Sequence, residues 1–139
     1  MRKKLLLILV ISCSFCFSAY ANSFYGTYKV NAKAMERELL SQSQDKSDFT
    51  VNAIKDIVSD AKKIKVQIDA KTIELSYEDQ KFKSSYQNIY NGNDMIKLKA
   101  IFHNKYANQD MPFYFIVSGS ELHYYPEGQE TRAIKLIKK

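Results

Sequence analysis

The change of hydrophobic period at Ile64 constrains the fold of this chain more than any other feature of its sequence. From Ile64 onward apolar and polar side chains alternate, as in IKVQI at 64–68 and TIELSY at 72–77. An alternation of period two places the apolar side chains on one face of a β-strand. Turn sequences such as NGND at 91–94 separate the alternating runs, which predicts consecutive antiparallel hairpins. With an opening strand in SFYGTYKV at 23–30, the sequence predicts about eight strands.

Two helices are predicted between the opening strand and the first alternating run. Asn31 can cap the first helix, AKAMERELLSQ, and Ser47 or Asp48 can cap the second. In the second helix apolar residues recur at spacings of three and four, which predicts a stripe docked on the apolar face of the sheet. On this interpretation Ile57 is buried, and Ile57→Ala lowers stability by about 2–4 kcal/mol. The predicted stripe consists of Val51, Ile54, Ile57, Val58, Ala61 and Ile64.

The one-sided pattern of the strands determines the predicted fold class. A parallel sheet covered on both faces has continuous apolar runs, so the alternation excludes it. The sequence predicts an α+β fold that is mainly antiparallel β, with two helices inserted after the first strand. Its strands, about eight in number, either close into a barrel or form a strongly curved sheet. Residues 22–139 are predicted to form this single domain, which is long enough to bury a core.

The first 21 residues are typical of a cleaved secretory signal peptide. Three basic residues at 2–4 precede an apolar run that ends in AYA, so we expect cleavage after Ala21. This predicts a periplasmic or secreted protein. The sequence VISC, which ends at Cys13, resembles a lipoprotein box and indicates a lipid-anchored form as the alternative. No later run approaches about 20 apolar residues, so no transmembrane helix is predicted.

Removal of the leader changes both the cysteine content and the charge of the chain. Cys13 and Cys16 are the two cysteines, so the mature chain can form neither a disulfide nor a thiolate metal site. The formal net charge falls from +6 to +3 when the three basic residues of the leader are removed. The remaining lysines are interspersed with acidic residues, which is typical of a solvated surface. No nucleic-acid partner is therefore expected.

Gly26-Thr27-Tyr28 in the opening strand resembles the G-x-W element that begins lipocalins and their calycin relatives. The longer stretch resembles the F-x-G-x-W opening of the fatty-acid-binding branch. Here it reads Phe24-Tyr25-Gly26-Thr27-Tyr28, with tyrosine in place of tryptophan. The order of one strand, two helices and consecutive strands resembles the fatty-acid-binding branch, although those proteins have ten strands and no leader.

This resemblance implies a small barrel with an interior ligand site. It also implies that Tyr28 closes one barrel end beneath a basic residue of the last strand, with Arg132 as the first candidate and Lys135 as the second. Gly26 is then expected where a side chain would collide with a neighbouring strand or with the last turn.

The aromatic residues provide two groups of candidate contacts. The chain has ten tyrosines, eight phenylalanines and no tryptophan. Phenyl rings dominate burial, whereas each buried tyrosine hydroxyl needs a partner, so a tyrosine-rich lining suits a polar-headed ligand. The candidate ligand-binding residues are Tyr28, Tyr77, Tyr86, Phe102, Phe115, Tyr124 and Arg132. A second group, expected in loops or on the opposite face, is typical of protein contacts: it comprises Tyr90, Tyr106, Tyr114 and Tyr125.

The sequence gives no evidence for a catalytic site. It contains no H-E-x-x-H motif, no G-x-S-x-G motif and no phosphate-binding glycine loop. The two histidines, His103 and His123, lie on polar faces near strand ends. Glu36 and Glu38 are two residues apart on a helix and so point in different directions. We therefore predict neither catalytic residues nor a metal or cofactor.

Two functions remain open from the sequence. The first is a periplasmic, non-enzymatic protein that binds a small apolar or amphipathic ligand in a calycin-like barrel. The alternative is a protein-binding module with a filled core, such as an envelope inhibitor or an immunity-type protein. The loop tyrosines would then contact the envelope protein partner.

Overall fold

Residues 24–139 are described by the computed structural model, so the leader, its cleavage site and Cys13 lie outside the described residues. Eight antiparallel strands form a closed barrel in which sequential strands are neighbours and the last strand pairs with the first. The predicted α+β class is confirmed, and the strands form a barrel and not an open curved sheet. The strands are β1 (Gly26–Lys29), β2 (Ile64–Ile68), β3 (Thr72–Tyr77), β4 (Gln80–Asn91), β5 (Ile96–Asn104), β6 (Gln109–Ser118), β7 (Glu121–Pro126) and β8 (Ile134–Lys138).

Two helices, α1 (Ala32–Gln42) and α2 (Asp48–Ala61), connect β1 to β2 and begin at the predicted caps. The Asn31 side chain accepts a hydrogen bond from the Ala34 amide at 3.2 Å. Ser47 Oγ accepts one from the Thr50 amide at 3.4 Å. These side-chain oxygens satisfy amides that the first helical turn leaves without a backbone partner.

The face that α2 buries differs from the predicted stripe. Ile54 is 7% exposed and Val58 and Ala61 are buried, whereas Ile57 is 52% exposed. At about 100° per residue, Ile57 lies about 60° from Ile54 on the side away from Val58, beyond the buried arc. The helices pack on each other, and the buried residues of α2 are not part of the core cluster within the barrel. The predicted burial of Ile57 against the sheet is therefore wrong.

A pair of alanine substitutions tests this assignment of the helix faces. Ile54→Ala is expected to lower the free energy of unfolding by about 2–4 kcal/mol because it leaves a cavity. Ile57→Ala is expected to change it by no more than about 0.5 kcal/mol. Urea denaturation followed by circular dichroism measures both values. Equal destabilisation by the two substitutions would show that Ile57 belongs to the buried face.

The barrel interior is filled by the apolar faces of the strands. Register places these residues on one side of the wall: Val66 lies opposite Tyr28 and Leu75, and Leu98 lies opposite Phe115. An eight-stranded barrel is just wide enough for its side chains to fill it or for one small ligand. The buried core cluster consists of Phe24, Tyr28, Val66, Ile68, Ile73, Leu98, Ala100, Phe102, Phe115, Val117, Leu122, Tyr124 and Leu136.

The two ends of the barrel differ in what adjoins them. Lys29 at the end of β1 pairs with Lys65 at the start of β2, so both helices leave from this end, which we call the helix end. Phe24 and the start of β1 lie at the opposite end, which we call the N-terminal end. Residues 80–85 of β4 pair with β3, and residues 86–91 pair with β5. The ladder between β4 and β5 therefore stops before the helix end.

Candidate functional site

The Tyr28 side chain points into the barrel, as the sequence predicts, and its hydroxyl reaches back towards the N-terminal end. Its side chain is fully buried, and its hydroxyl donates a hydrogen bond to the Phe24 carbonyl at 2.7 Å. Burial raises the pKa of Tyr28 to about 12, so the hydroxyl stays protonated at neutral pH. The segment before β1 is thereby fixed against the barrel, with the Phe24 ring 6.4 Å from that of Tyr86.

The basic residue of the last strand that lies opposite Tyr28 is Lys138 and not Arg132. Tyr28 pairs with Lys138 in the β1–β8 register. Arg132 is exposed in a 3-10 turn (Glu130–Arg132) before β8 begins, and Lys135 is also exposed. The six residue steps from Arg132 to Lys138 correspond to about 20 Å of extended chain. The predicted contact between Arg132 and the Tyr28 ring is therefore wrong.

Gly26 occupies a position that only glycine adopts readily. Its φ of +146° lies in a region that L side chains rarely adopt. A Cβ atom there would also lie 2.8 Å from Lys138 Cε on the neighbouring strand. The predicted close approach is present, but it involves the far end of a flexible lysine side chain that can move aside, so the unusual φ is the stronger requirement for glycine.

Five aromatic residues form a continuous cluster within the barrel towards the helix end. The Phe102 ring lies 6.2 Å from Phe82, 5.6 Å from Phe113 and 6.1 Å from Phe115. Tyr124 stacks on Phe115 with a centroid distance of 5.8 Å and an interplanar angle of 19°. We call Phe82, Phe102, Phe113, Phe115 and Tyr124 the aromatic cluster. Phe82 and Phe113 are only half-buried, so the outer part of the cluster is open to solvent.

The Tyr124 hydroxyl is the polar group of this cluster. Tyr124 is 6% exposed, and its hydroxyl makes no hydrogen bond within residues 24–139. Every fully covered side-chain oxygen or nitrogen in that part of the chain has a partner, so this hydroxyl must touch accessible space. Burial raises the pKa of Tyr124 to about 12. It is a protonated donor in an apolar surrounding at neutral pH.

The other two predicted tyrosines lie away from this cluster or at its edge. Tyr86 donates its hydroxyl to the Asp69 carbonyl at 2.8 Å. Burial, followed by the neighbouring Tyr25, raises the pKa of Tyr86 to about 12. Tyr77 shares the inward face of β3 with Leu75 but ends the strand and is 36% exposed. The structure thus brings three predicted residues together, namely Phe102, Phe115 and Tyr124.

The tyrosines assigned from sequence to protein contact divide into two kinds. Tyr106 is 98% exposed and Tyr90 is 53% exposed. Tyr125 lies on the outer face as predicted, but it is buried there because its ring packs 5.5 Å from Tyr114 under Lys97. Lys97 Nζ lies 4.8 Å from the Tyr114 centroid, a cation–π contact on the outer wall. Tyr114 and Tyr125 therefore stabilise the outside of the barrel.

Both histidines lie on the outer wall beside carboxylates. His103 Nδ1 is 3.0 Å from Asp110 Oδ1, and His123 Nε2 is 3.7 Å from Glu121 Oε2. Within residues 24–139 no group of three or more His, Cys, Asp or Glu residues is arranged to hold a metal ion. Neither of the helices described is long and apolar enough to span a bilayer.

Sequence reasoning missed two groups at the ends of the barrel. Phe82 and Phe113 lie on the apolar face of their strands in the sequence, but their position at the open edge depends on register. Lys138 follows Leu136 by two positions and so lies on the same face of β8. That spacing could have identified Lys138 as the basic residue opposite Tyr28.

Comparison with known proteins gives no assignment. No family model matches the chain, and no curated protein is significantly similar to it in sequence.

The buried tyrosines predict a loss of stability at alkaline pH. Tyr28 and Tyr124 have pKa values of about 12 in the folded protein because they are buried, against 10.0 ordinarily. A raised folded pKa contributes stability that is complete below pH 10 and is lost as the pH rises towards 12. Urea midpoints measured from pH 8 to 11.5 should fall above pH 10, and less steeply in Tyr124→Phe. Identical profiles for this variant and the wild type would contradict the assignment.

Proposed function

We propose that this protein is a small, non-enzymatic binding protein that holds an apolar or amphipathic molecule against the aromatic cluster. The ligand enters at the helix end, where the β4–β5 ladder stops. The fold is compatible with the calycin-like resemblance of the opening strand, and ligands of small barrels bind in the barrel mouth. The proposal places the site at one end of the barrel, beside a core that is otherwise filled.

The half-buried state of two inward-facing rings is the observation that supports this proposal most directly. Phe82 lies opposite Leu75, and Phe113 lies opposite Ala100, so register directs both rings inward. Both nevertheless remain partly exposed, although they pack against the buried core. Large inward rings that keep contact with solvent form an apolar surface that a ligand can cover, with a gain of about 25 cal/mol per Å² of apolar area.

The same proposal assigns the protein to the periplasm or the exterior. The signal-peptide pattern of residues 1–21 supports export, with cleavage after Ala21. A carrier or sensor of apolar molecules is useful in an aqueous compartment because such molecules are poorly soluble there. The lipid-anchored form through Cys13 would keep the same domain at a membrane surface.

A fluorescence titration tests the proposal. N-phenyl-1-naphthylamine, a neutral apolar dye, should bind the wild type with a blue shift and increased emission. Phe113→Ala should weaken this binding about 5-fold or more because it removes ring area from the site. Ile101→Ala is the matched control. Ile101 follows Ala100 on β5, so its side chain points to the outside of the barrel, where it is 50% exposed. Absence of dye binding by the folded wild type would refute the proposal.

The exposure of Tyr90 and Tyr106 supports a second candidate, the protein-binding module. Each residue is more than half exposed. Tyr90 on β4 pairs with Lys97 on β5, and both side chains lie on the outer wall of the barrel. Tyrosine combines apolar area with a polar group and is common in protein interfaces. Native mass spectrometry of the protein purified from its own envelope distinguishes the two functions. A bound small molecule supports the first, and a stoichiometric protein partner supports the second.

A further inference from the structure

We propose that the ligand is a neutral, planar apolar molecule that carries a hydrogen-bond acceptor, such as a carbonyl oxygen, and that Tyr124 donates the hydrogen bond to it. This inference rests on the proposed function and specifies its ligand class. It excludes a fatty-acid carboxylate as the preferred occupant of the aromatic cluster.

The charge distribution around the cluster argues against an anionic ligand. The buried residues within 24–139 include no lysine, arginine or histidine. At the helix end, Lys63 is bound to Glu78 at 2.7 Å and to Asp60 at 3.4 Å. Lys138 lies opposite Tyr28, towards the N-terminal end. Arg132, in the turn before β8, is exposed to solvent. A carboxylate placed among the buried rings would therefore lose its hydration without gaining a buried cationic partner, which is strongly unfavourable.

The ring geometry of the cluster favours a planar ligand. Tyr124 and Phe115 are stacked at 19°, and Phe113 is inclined to Tyr124 by 39° and to Phe115 by 34°. Three rings thus have similar orientations and centroids within 6.5 Å of one another. A planar ligand can continue such an arrangement with offset-stacked or edge contacts.

Tyr124 is the one hydroxyl donor of the buried core cluster that has no acceptor among residues 24–139. Of the three tyrosines whose pKa is raised to about 12, Tyr28 and Tyr86 already donate to backbone carbonyls. Tyr124 makes no hydrogen bond to residues 24–139, and its hydroxyl touches accessible space. A buried donor without a protein partner is costly unless water or a ligand accepts its proton. An acceptor atom on the ligand satisfies this group, whereas a purely apolar ligand leaves it unpaired.

Three naphthalenes of similar size test this inference by displacement of N-phenyl-1-naphthylamine at pH 7. They are 2-acetylnaphthalene with a neutral acceptor, 2-isopropylnaphthalene without one, and the anion 2-naphthoate. Tyr124→Phe should weaken binding of the ketone about 2- to 10-fold, as expected for one hydrogen bond, and leave the affinity for 2-isopropylnaphthalene within about 2-fold. In the wild type, 2-naphthoate should bind at least about 10-fold more weakly than the ketone. Tyr114→Phe is the control, because that hydroxyl lies on the outer wall bound to Glu127.

The outcomes separate this inference from the function on which it rests. If none of the naphthalenes and no dye binds the folded protein, the proposed function itself is wrong. If the neutral compounds bind but Tyr124→Phe changes their affinities equally, Tyr124 has only a packing role and the inference is overturned. Preferred binding of 2-naphthoate would also overturn it, while leaving the aromatic cluster as a ligand site.

Discussion

Phe115→Ala is expected to lower the free energy of unfolding by about 3–5 kcal/mol, one of the two largest effects that the structure predicts. Phe115 is fully buried and its ring contacts Phe102, Phe113 and Tyr124. Its removal leaves a cavity in the centre of the barrel that the closed wall of strands can fill only partly. Chemical denaturation with a two-state fit measures the change.

Phe49→Ala provides the matched control for this substitution. Phe49 lies in the first turn of α2 and is 84% exposed, so its removal should change stability by no more than about 0.5 kcal/mol. A small effect of Phe115→Ala, comparable with that of Phe49→Ala, would mean that the barrel interior is not packed as described.

Tyr28→Ala is expected to cost about 3–5 kcal/mol, and Tyr28→Phe only about 0.5–1.5 kcal/mol. The alanine substitution removes a fully buried ring beside Val66, whereas phenylalanine keeps the ring and loses only the hydrogen bond to the Phe24 carbonyl. Thermal and urea unfolding of both variants separate packing from hydrogen bonding. If the two substitutions destabilised equally, the hydroxyl and not the ring would fix this end of the barrel.

The strands and their order could be predicted from sequence because a one-sided strand has a strong local signal. The alternation in IKVQI at 64–68 and in its successors locates each strand, and short turns force neighbouring strands to pair. Closure of the barrel, in contrast, cannot be predicted from such a local signal. It depends on the pairing of Tyr28 with Lys138 across the full length of the domain, which no local pattern specifies.

Two predictions from the sequence are wrong: the buried face of helix α2 and the residue at which the last strand begins. Ile57 fits a stripe drawn at spacings of three and four, but the buried arc of α2 is narrower and centres on Ile54 and Val58. The sequence pattern places Arg132 at the start of the last strand, whereas Arg132 ends a 3-10 turn (Glu130–Arg132) and β8 begins at Ile134. The first error reflects tertiary packing that overrides a local pattern, and the second reflects an unrecognised local turn.

The candidate site was predicted in part for the same physical reason. The sequence pattern identifies Phe102, Phe115 and Tyr124 because they lie on the apolar face of their strands. Phe82 and Phe113 also lie on that face, but their exposure at the helix end follows from the point at which β4 leaves β3 for β5. Register and strand bending decide which inward rings are covered, and neither is encoded in a single strand.

The most direct test of the binding site is the measurement of intermolecular nuclear Overhauser effects between N-phenyl-1-naphthylamine and isotopically labelled protein. If the ligand lies in the barrel, the dye protons should show contacts with the ring protons of Phe82, Phe113 and Tyr124. They should show none with Tyr90 or Tyr106, which lie outside. Contacts confined to these exposed tyrosines, with the resonances of the aromatic cluster unchanged at saturation, would contradict a ligand site inside the barrel.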